Sequence, residues 1–158
     1  MFIVTTKFSK KRALLVVIAL AVLLTGVILL AGRRDRTLDR PGEYQISSER
    51  DIVAFLEHLG WQVLPDPIEV LEVVIPREFS DVFEAYNQIQ IATGFDLSEH
   101  HGVSAVRYTY QVLNYPGQAD GVVADVLVAG GVVIGGDIQS IQMDGFLHGL
   151  TAHPDRIG

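Results

Sequence analysis

The chain contains no cysteine. Disulfides, thiolate catalysis and cysteine-ligated zinc are therefore excluded, and any domain it forms is held by packing alone. Lysine is absent after Lys11. That removes a Schiff-base lysine and a phosphate-loop lysine from everything downstream. Acidic residues are absent before Asp35. From residue 33 onward nineteen Asp and Glu stand against eight Arg, a net −11. An acidic, lysine-free domain is a poor match for nucleic acid, whose phosphates reward basic patches. Neither H-E-x-x-H nor G-x-G-x-x-G occurs, and Ser104 has no G-x-S-x-G around it. A zincin helix, a dinucleotide loop and a nucleophile elbow are all missing.

What the chain does have is one long apolar run. Ala13 to Ala31 carry no charge, and as a helix they would span about 28 Å, close to the hydrocarbon thickness of a bilayer. Lys7, Lys10, Lys11 and Arg12 precede the run. A cleaved signal peptide also starts basic, but its core is about 7–15 residues long and ends in a small-x-small site. Here Leu29 stands where a small residue is needed for cleavage after Ala31. The run is read as an uncleaved signal anchor with the lipid bilayer as its partner. Arg33, Arg34, Arg36 and Arg40 follow it, so basic residues tie at four on each side and do not set the orientation. The layout of a basic leader, one span and one polar domain favours a cytoplasmic amino terminus. Residues 1–12 then form the leader, 13–31 the anchor, 32–46 a juxtamembrane linker, 47–150 the domain and 151–158 a polar tail. The localisation expected is a single-pass protein of the cell membrane with its domain outside the cytoplasm.

The domain, about a hundred residues, is large enough for one hydrophobic core and not two. Ser48 followed by Asp51 is a capping box. Ile52, Phe55, Leu56 and Leu59 fall on one helical face, and Gly60 closes that helix. Glu69 to Ile75 reads as a strand ended by Pro76, and Glu78 to Ala92 as a second helix with Phe79, Val82, Phe83, Tyr86 and Ile89 on one face. Val106, Tyr108, Tyr110 and Val112 alternate with Arg107, Thr109 and Gln111, a half-buried strand. Asn114 to Gly117 is a turn, Val122 to Ala129 the next strand, and Gly130-Gly131 a tight turn into Val132, Val133 and Ile134. The class expected is α+β: an N-terminal transmembrane helix, then one small domain with an antiparallel β-meander and two main helices packed on one face.

Few residues suggest chemistry. Asp144 and His148 are four apart and would share a face if their segment were helical, with Asp137 at the end of the preceding strand. Carboxylate and imidazole groups placed so can ligate a metal or act as an acid–base pair. These three are the candidate polar site, and no catalytic, cofactor or metal-ligating residue is assigned. His100 and His101 are adjacent and read as a loop before a strand. Gly135-Gly136 reads as a bulge or a close backbone approach rather than a phosphate loop. Tyr108, Tyr110, Phe79, Phe83 and Tyr86 read as core, and Trp61 as packing over the first helix.

Five segments together resemble a known family. They are Val74-Ile75-Pro76-Arg77-Glu78-Phe79; Gly94-Phe95-Asp96-Leu97-Ser98; Arg107 through Gly117; Val133-Ile134-Gly135-Gly136-Asp137; and Asp144 through Leu150. The pattern is similar to that catalogued as domain of unknown function 4830, found mainly in Gram-positive bacteria of the clostridial group. The resemblance implies a host with a single membrane and carries no activity. Two readings follow. The first is a membrane-anchored module whose extracytoplasmic domain binds a protein or a small ligand. The second is a metal-dependent or carboxylate–histidine hydrolase centred on Asp137, Asp144 and His148.

Overall fold

A computed structural model describes residues 44–118 and 120–154. The leader, the apolar run at 13–31, most of the linker and the end of the tail lie outside the described residues. Among the described residues no helix is long and apolar enough to cross a membrane.

The order of elements is α1 (Glu49–His58), β1 (Glu69–Val74), α2 (Asp81–Ala92), a one-turn 3-10 helix (Leu97–His100), β2 (Ser104–Gln111), β3 (Val122–Ala129), β4 (Val132–Ser140) and β5 (Leu147–Gly149). The five strands form one sheet in sequence order, each antiparallel to the next. The meander expected from the sequence is therefore present, with β1 joined to its edge.

Local chemistry accounts for the elements. Asp51 accepts hydrogen bonds from the backbone N–H of Ser47 and Ser48, at 2.9 and 3.0 Å, and fixes the start of α1. Ile52, Phe55 and Leu56 are buried, and Gly60 leaves the helix at φ +96°. The next residue, Trp61, is 1% exposed. Its indole N–H donates to Leu150 O at 2.6 Å, and its ring stacks on His153 with centroids 4.0 Å apart.

The two helices pack on opposite faces of the sheet, not on one. Ile52, Phe55, Leu56 and Trp61 share a core with Tyr110, Val122, Ala124, Val126 and Ile138. Phe79, Phe83 and Tyr86 pack with Ile75, Leu97, Ala105, Leu127 and Ile134. Neighbours along a strand point to opposite faces, so Val126 and Leu127 place the two clusters on the two sides. The physical reason is legible in β3 itself. All of its residues from Val122 to Val128 are buried, and a strand buried without alternation needs cover on both faces.

Helix α2 packs Phe83 and Tyr86 of its expected face against the sheet, but its most buried positions lie to one side of that face, at Asn87 and Gln90. Val82 is 81% exposed, while Asn87 and Gln90 are at 2% and 0%. Asn87 accepts from the N–H of Leu97 at 2.8 Å and donates to Asp96 at 3.0 Å, holding the 3-10 turn. Gln90 accepts from the N–H of Gly136 at 2.8 Å. Two amides thus serve as fasteners where apolar packing was expected. The close approach expected at Gly135-Gly136 is present. The pairing of β3 with β4 shifts by one residue between Leu127 and Val128, a bulge.

The segment before Leu150 is not helical, as Asp144 lies in a turn at φ +59° and β5 follows. A Cβ on Gly149 would lie 2.2 Å from Thr93 Cγ2 at the end of α2. Gly149→Ala is therefore expected to cost about 1–3 kcal/mol by overpacking. A urea midpoint unchanged from the parent chain would contradict that packing.

Strand β1 stands apart. Ile68, Val70, Leu71 and Val74 are 45–64% exposed. It is an edge strand with little cover on either face, bounded by Pro67 and Pro76.

Candidate functional site

Sheet register builds a polar row. Glu69 of β1 pairs with Thr109 of β2, Thr109 with Asp125 of β3, Asp125 with Asp137 of β4, and Asp137 with Gly149 of β5. Directly paired residues share a face, so two carboxylates face each other across β3 and β4 on the side covered by α2. Both are buried, Asp125 at 4% and Asp137 at 3% exposure. Like charges placed so destabilise a sheet unless something offsets them.

The neighbours supply the offset. Asp125 accepts from the Thr109 hydroxyl and, at 2.8 Å, from Gln139 Nε2. Arg107 Nε lies 4.0 Å from Asp125 Oδ2, and the same guanidinium holds Glu69 Oε2 at 2.5 Å through Nη2. Asp137 Oδ2 accepts from the Tyr86 hydroxyl at 2.7 Å, a contact reaching down from α2. Among the described residues Asp137 Oδ1 has no hydrogen-bond partner.

Burial sets the electrostatics. The Asp137 carboxyl is raised to about 7, with desolvation the largest of the causes. The Tyr86 hydrogen bond pulls it back, the Asp125 charge pushes it further up, and Arg107 opposes that. The Tyr86 phenol is held well above its ordinary range, first by burial and then by the adjacent Asp137. It remains a hydrogen-bond donor at any physiological pH.

These groups line a cleft of about 240 Å³, walled by Val73, Val74, Ile75, Phe83, Leu127 and Leu147. Its base is polar and its walls are apolar. A site of this kind orients a ligand through a few placed polar groups and desolvates the remainder.

Asp137 is the only one of the three sequence candidates in this cleft. His148 pairs with Ile138 in the register, and Ile138 belongs to the core on the α1 side. His148 therefore projects from the opposite face. There its Nε2 lies 3.1 Å from the Tyr115 hydroxyl, and its ring neighbours Trp61, Tyr115 and Phe146. Asp144 is exposed in the turn between β4 and β5. The three do not share a site, because β5 is a strand and puts His148 one register position from Asp137. Among the described residues no group of three or more His, Asp or Glu is placed to hold a metal ion. The His101 ring lies tilted against Phe79 with centroids 4.4 Å apart, and its Nδ1 lies 3.0 Å from Pro76 O.

Sequence reasoning missed Tyr86, Arg107, Thr109, Asp125 and Gln139. One signal was available: Asp125 is the lone charge inside the run Val122 to Ala129, and a carboxylate in a fully buried strand requires partners.

The model of a protein family described as a domain of unknown function, DUF4830, matches residues 55–138. Tyr86, Arg107, Thr109, Asp125 and Asp137 lie within the match, while Asp144 and His148 lie beyond it. No curated protein and no solved structure matches the chain.

Proposed function

The chain belongs to the family of domains of unknown function DUF4830, and from that premise we propose that it is a membrane-tethered binding module of a Gram-positive cell. Residues 13–31 anchor it, and the domain outside the cytoplasm takes a small ligand in the cleft above Asp125 and Asp137. One observation carries the reading: Asp137 is 3% exposed, lines a cleft, and keeps one carboxylate oxygen without a hydrogen-bond partner among the described residues. A buried polar atom without a partner costs about 1–3 kcal/mol or more. A ligand that supplies the missing donor recovers that free energy on binding.

The anchor rests on the length and uncharged character of the run, and its direction on the basic leader. A hydrolase centred on Asp137, Asp144 and His148 is not supported by the geometry, since the three groups lie apart.

The binding reading is tested on the isotope-labelled full chain in detergent micelles. A panel of small four-carbon probes (butylammonium, butyrate and butanol) is titrated while backbone amides are followed by NMR. At least one probe is expected to shift the amides of Arg107, Asp125, Asp137 and Tyr86 together and saturably. If every probe leaves those four unmoved, the cleft is not a binding site. Protease added to intact cells is expected to remove the domain, and a fully protected domain would reverse the orientation.

A further inference from the structure

Within that binding reading, we propose that the cleft selects a primary alkylammonium group: the charged nitrogen sits between Asp137 and Asp125, and its short aliphatic stem lies along the apolar walls. The inference rests on the proposed function and adds the chemistry of the ligand.

Three features of the cleft converge on this class. Its base holds two carboxylates paired across β3 and β4. Asp137 Oδ1 is buried and accepts nothing from the described residues. An ammonium is a donor-only group with three N–H bonds, so one nitrogen can satisfy that oxygen, reach toward Asp125 and relieve the repulsion between the two acids. Among the described residues the only cation lining the cleft, Arg107, is already held by Glu69 at 2.5 Å and stands 4.0 Å from Asp125. One positive charge is shared by three carboxylates.

The remaining features decide between kinds of cation. A hard divalent ion takes six or more oxygen ligands, and two carboxylates with a phenol among aliphatic walls do not supply them. A planar guanidinium needs a carboxylate free to accept two parallel bonds, whereas both oxygens of Asp125 and one of Asp137 are engaged. An ammonium with a methylene stem fits a narrow polar base under Val73, Leu127 and Leu147. Phe83 and Tyr86 line the same space, and ring faces attract cations. The domain itself has no lysine, so no ammonium side chain of its own competes for the cleft.

Binding should also depend on pH, because the ammonium requires Asp137 ionised. The charged or titratable groups around Asp137 are Tyr86 from α2, Asp125 from β3, Arg107 from β2 and, through Arg107, Glu69 from β1. The paired residue of β5 is Gly149. With the Asp137 carboxyl near 7, affinity is expected to fall about 30-fold between pH 8 and pH 5.5.

The test compares butylammonium, Nα-acetyl-lysine methylamide and sodium chloride at matched ionic strength, using the full chain in micelles and the NMR readout above. Saturable shifts of the Asp125, Asp137 and Gln139 amides are expected with butylammonium and absent with sodium. Asp137→Asn, which keeps the shape, is expected to weaken binding at least about tenfold. A response to the lysine derivative as well as to butylammonium identifies a protein side chain as an accessible source of the group. A response to butylammonium alone identifies a free amine. Equal binding by Asp137→Asn, or shifts from sodium matching those from butylammonium, would overturn the proposal. Shifts at the cleft from butyrate or butanol with none from butylammonium would overturn the ammonium while leaving the binding site. Silence from every probe would remove both.

Discussion

Trp61→Ala is expected to cost about 3–5 kcal/mol of stability, a large share of the roughly 5–15 kcal/mol that holds a small domain folded. The side chain is 1% exposed and lies where three parts of the chain meet. It follows α1, donates its indole proton to Leu150 O at the end of the meander, and stacks against His153. Tyr115, from the turn before β3, lies parallel to it at 6.0 Å. His153 in turn lies 2.6 Å from Leu59 O through Nε2. Removing the indole leaves a cavity, a carbonyl without its donor and a histidine without its stack. With no disulfide available, no covalent link limits the damage. Urea unfolding followed by far-UV circular dichroism gives the measurement, since the variant has no tryptophan left to report by fluorescence. A loss below about 1 kcal/mol would mean that the three segments are held together elsewhere.

Asp137→Asn is expected to stabilise the domain above neutral pH, by up to about 4 kcal/mol. The sign follows from the raised carboxyl, which moves from 3.8 to about 7 on folding. Between those values the folded chain keeps a proton that the unfolded chain has released. Stability contributed by this group is therefore complete below pH 4, falls as pH rises toward 7, and levels off beyond it. Asparagine has no such proton to lose. The difference between the two unfolding free energies is expected to grow from pH 4.5 to 7 and then stay flat. Taking the difference cancels the carboxylates distant from Asp137, whose titration is common to both chains. A gap independent of pH would show that Asp137 is not desolvated on folding. The same substitution is the one expected to weaken ammonium binding at least about tenfold. Stability gained and ligand lost at one position is the pattern of a site held at the expense of the fold.

The parts of the fold legible in the sequence were those written in local rules. A capping box, a helical face and Gly60 define α1, and strict alternation defines β2. The parts that were not legible depend on partners distant in sequence. Periodicity gives α2 a face through Val82 and Ile89, yet its burial turns on Asn87 and Gln90, whose hydrogen bonds run to Asp96, Leu97 and Gly136. No local rule reveals that an amide will be satisfied 46 residues away. The site follows the same division. Asp137 was visible as a carboxylate at a glycine-rich strand end. Asp144 and His148 were added to it on an assumed helical spacing that β5 does not have. Asp125 escaped notice because its partners, Thr109 and Gln139, are brought to it only by register.

The exposed edge strand gives the domain an uneven resistance to opening. β1 is paired only with β2, and most of its side chains reach solvent. Few buried contacts and one ladder place a segment at the low end of the local stability scale. Its backbone amides are expected to exchange with solvent through local opening well before those of β3, which is paired on both sides and buried from Val122 to Val128. Val73 and Val74 of this strand form a wall of the cleft, and Glu69 of the same strand restrains Arg107. When β1 frays, that wall and that restraint are released together, while Asp125 and Asp137 stay fixed on the slowly exchanging strands. The cleft thus combines a base set by the most protected part of the sheet with a rim that moves on a faster clock.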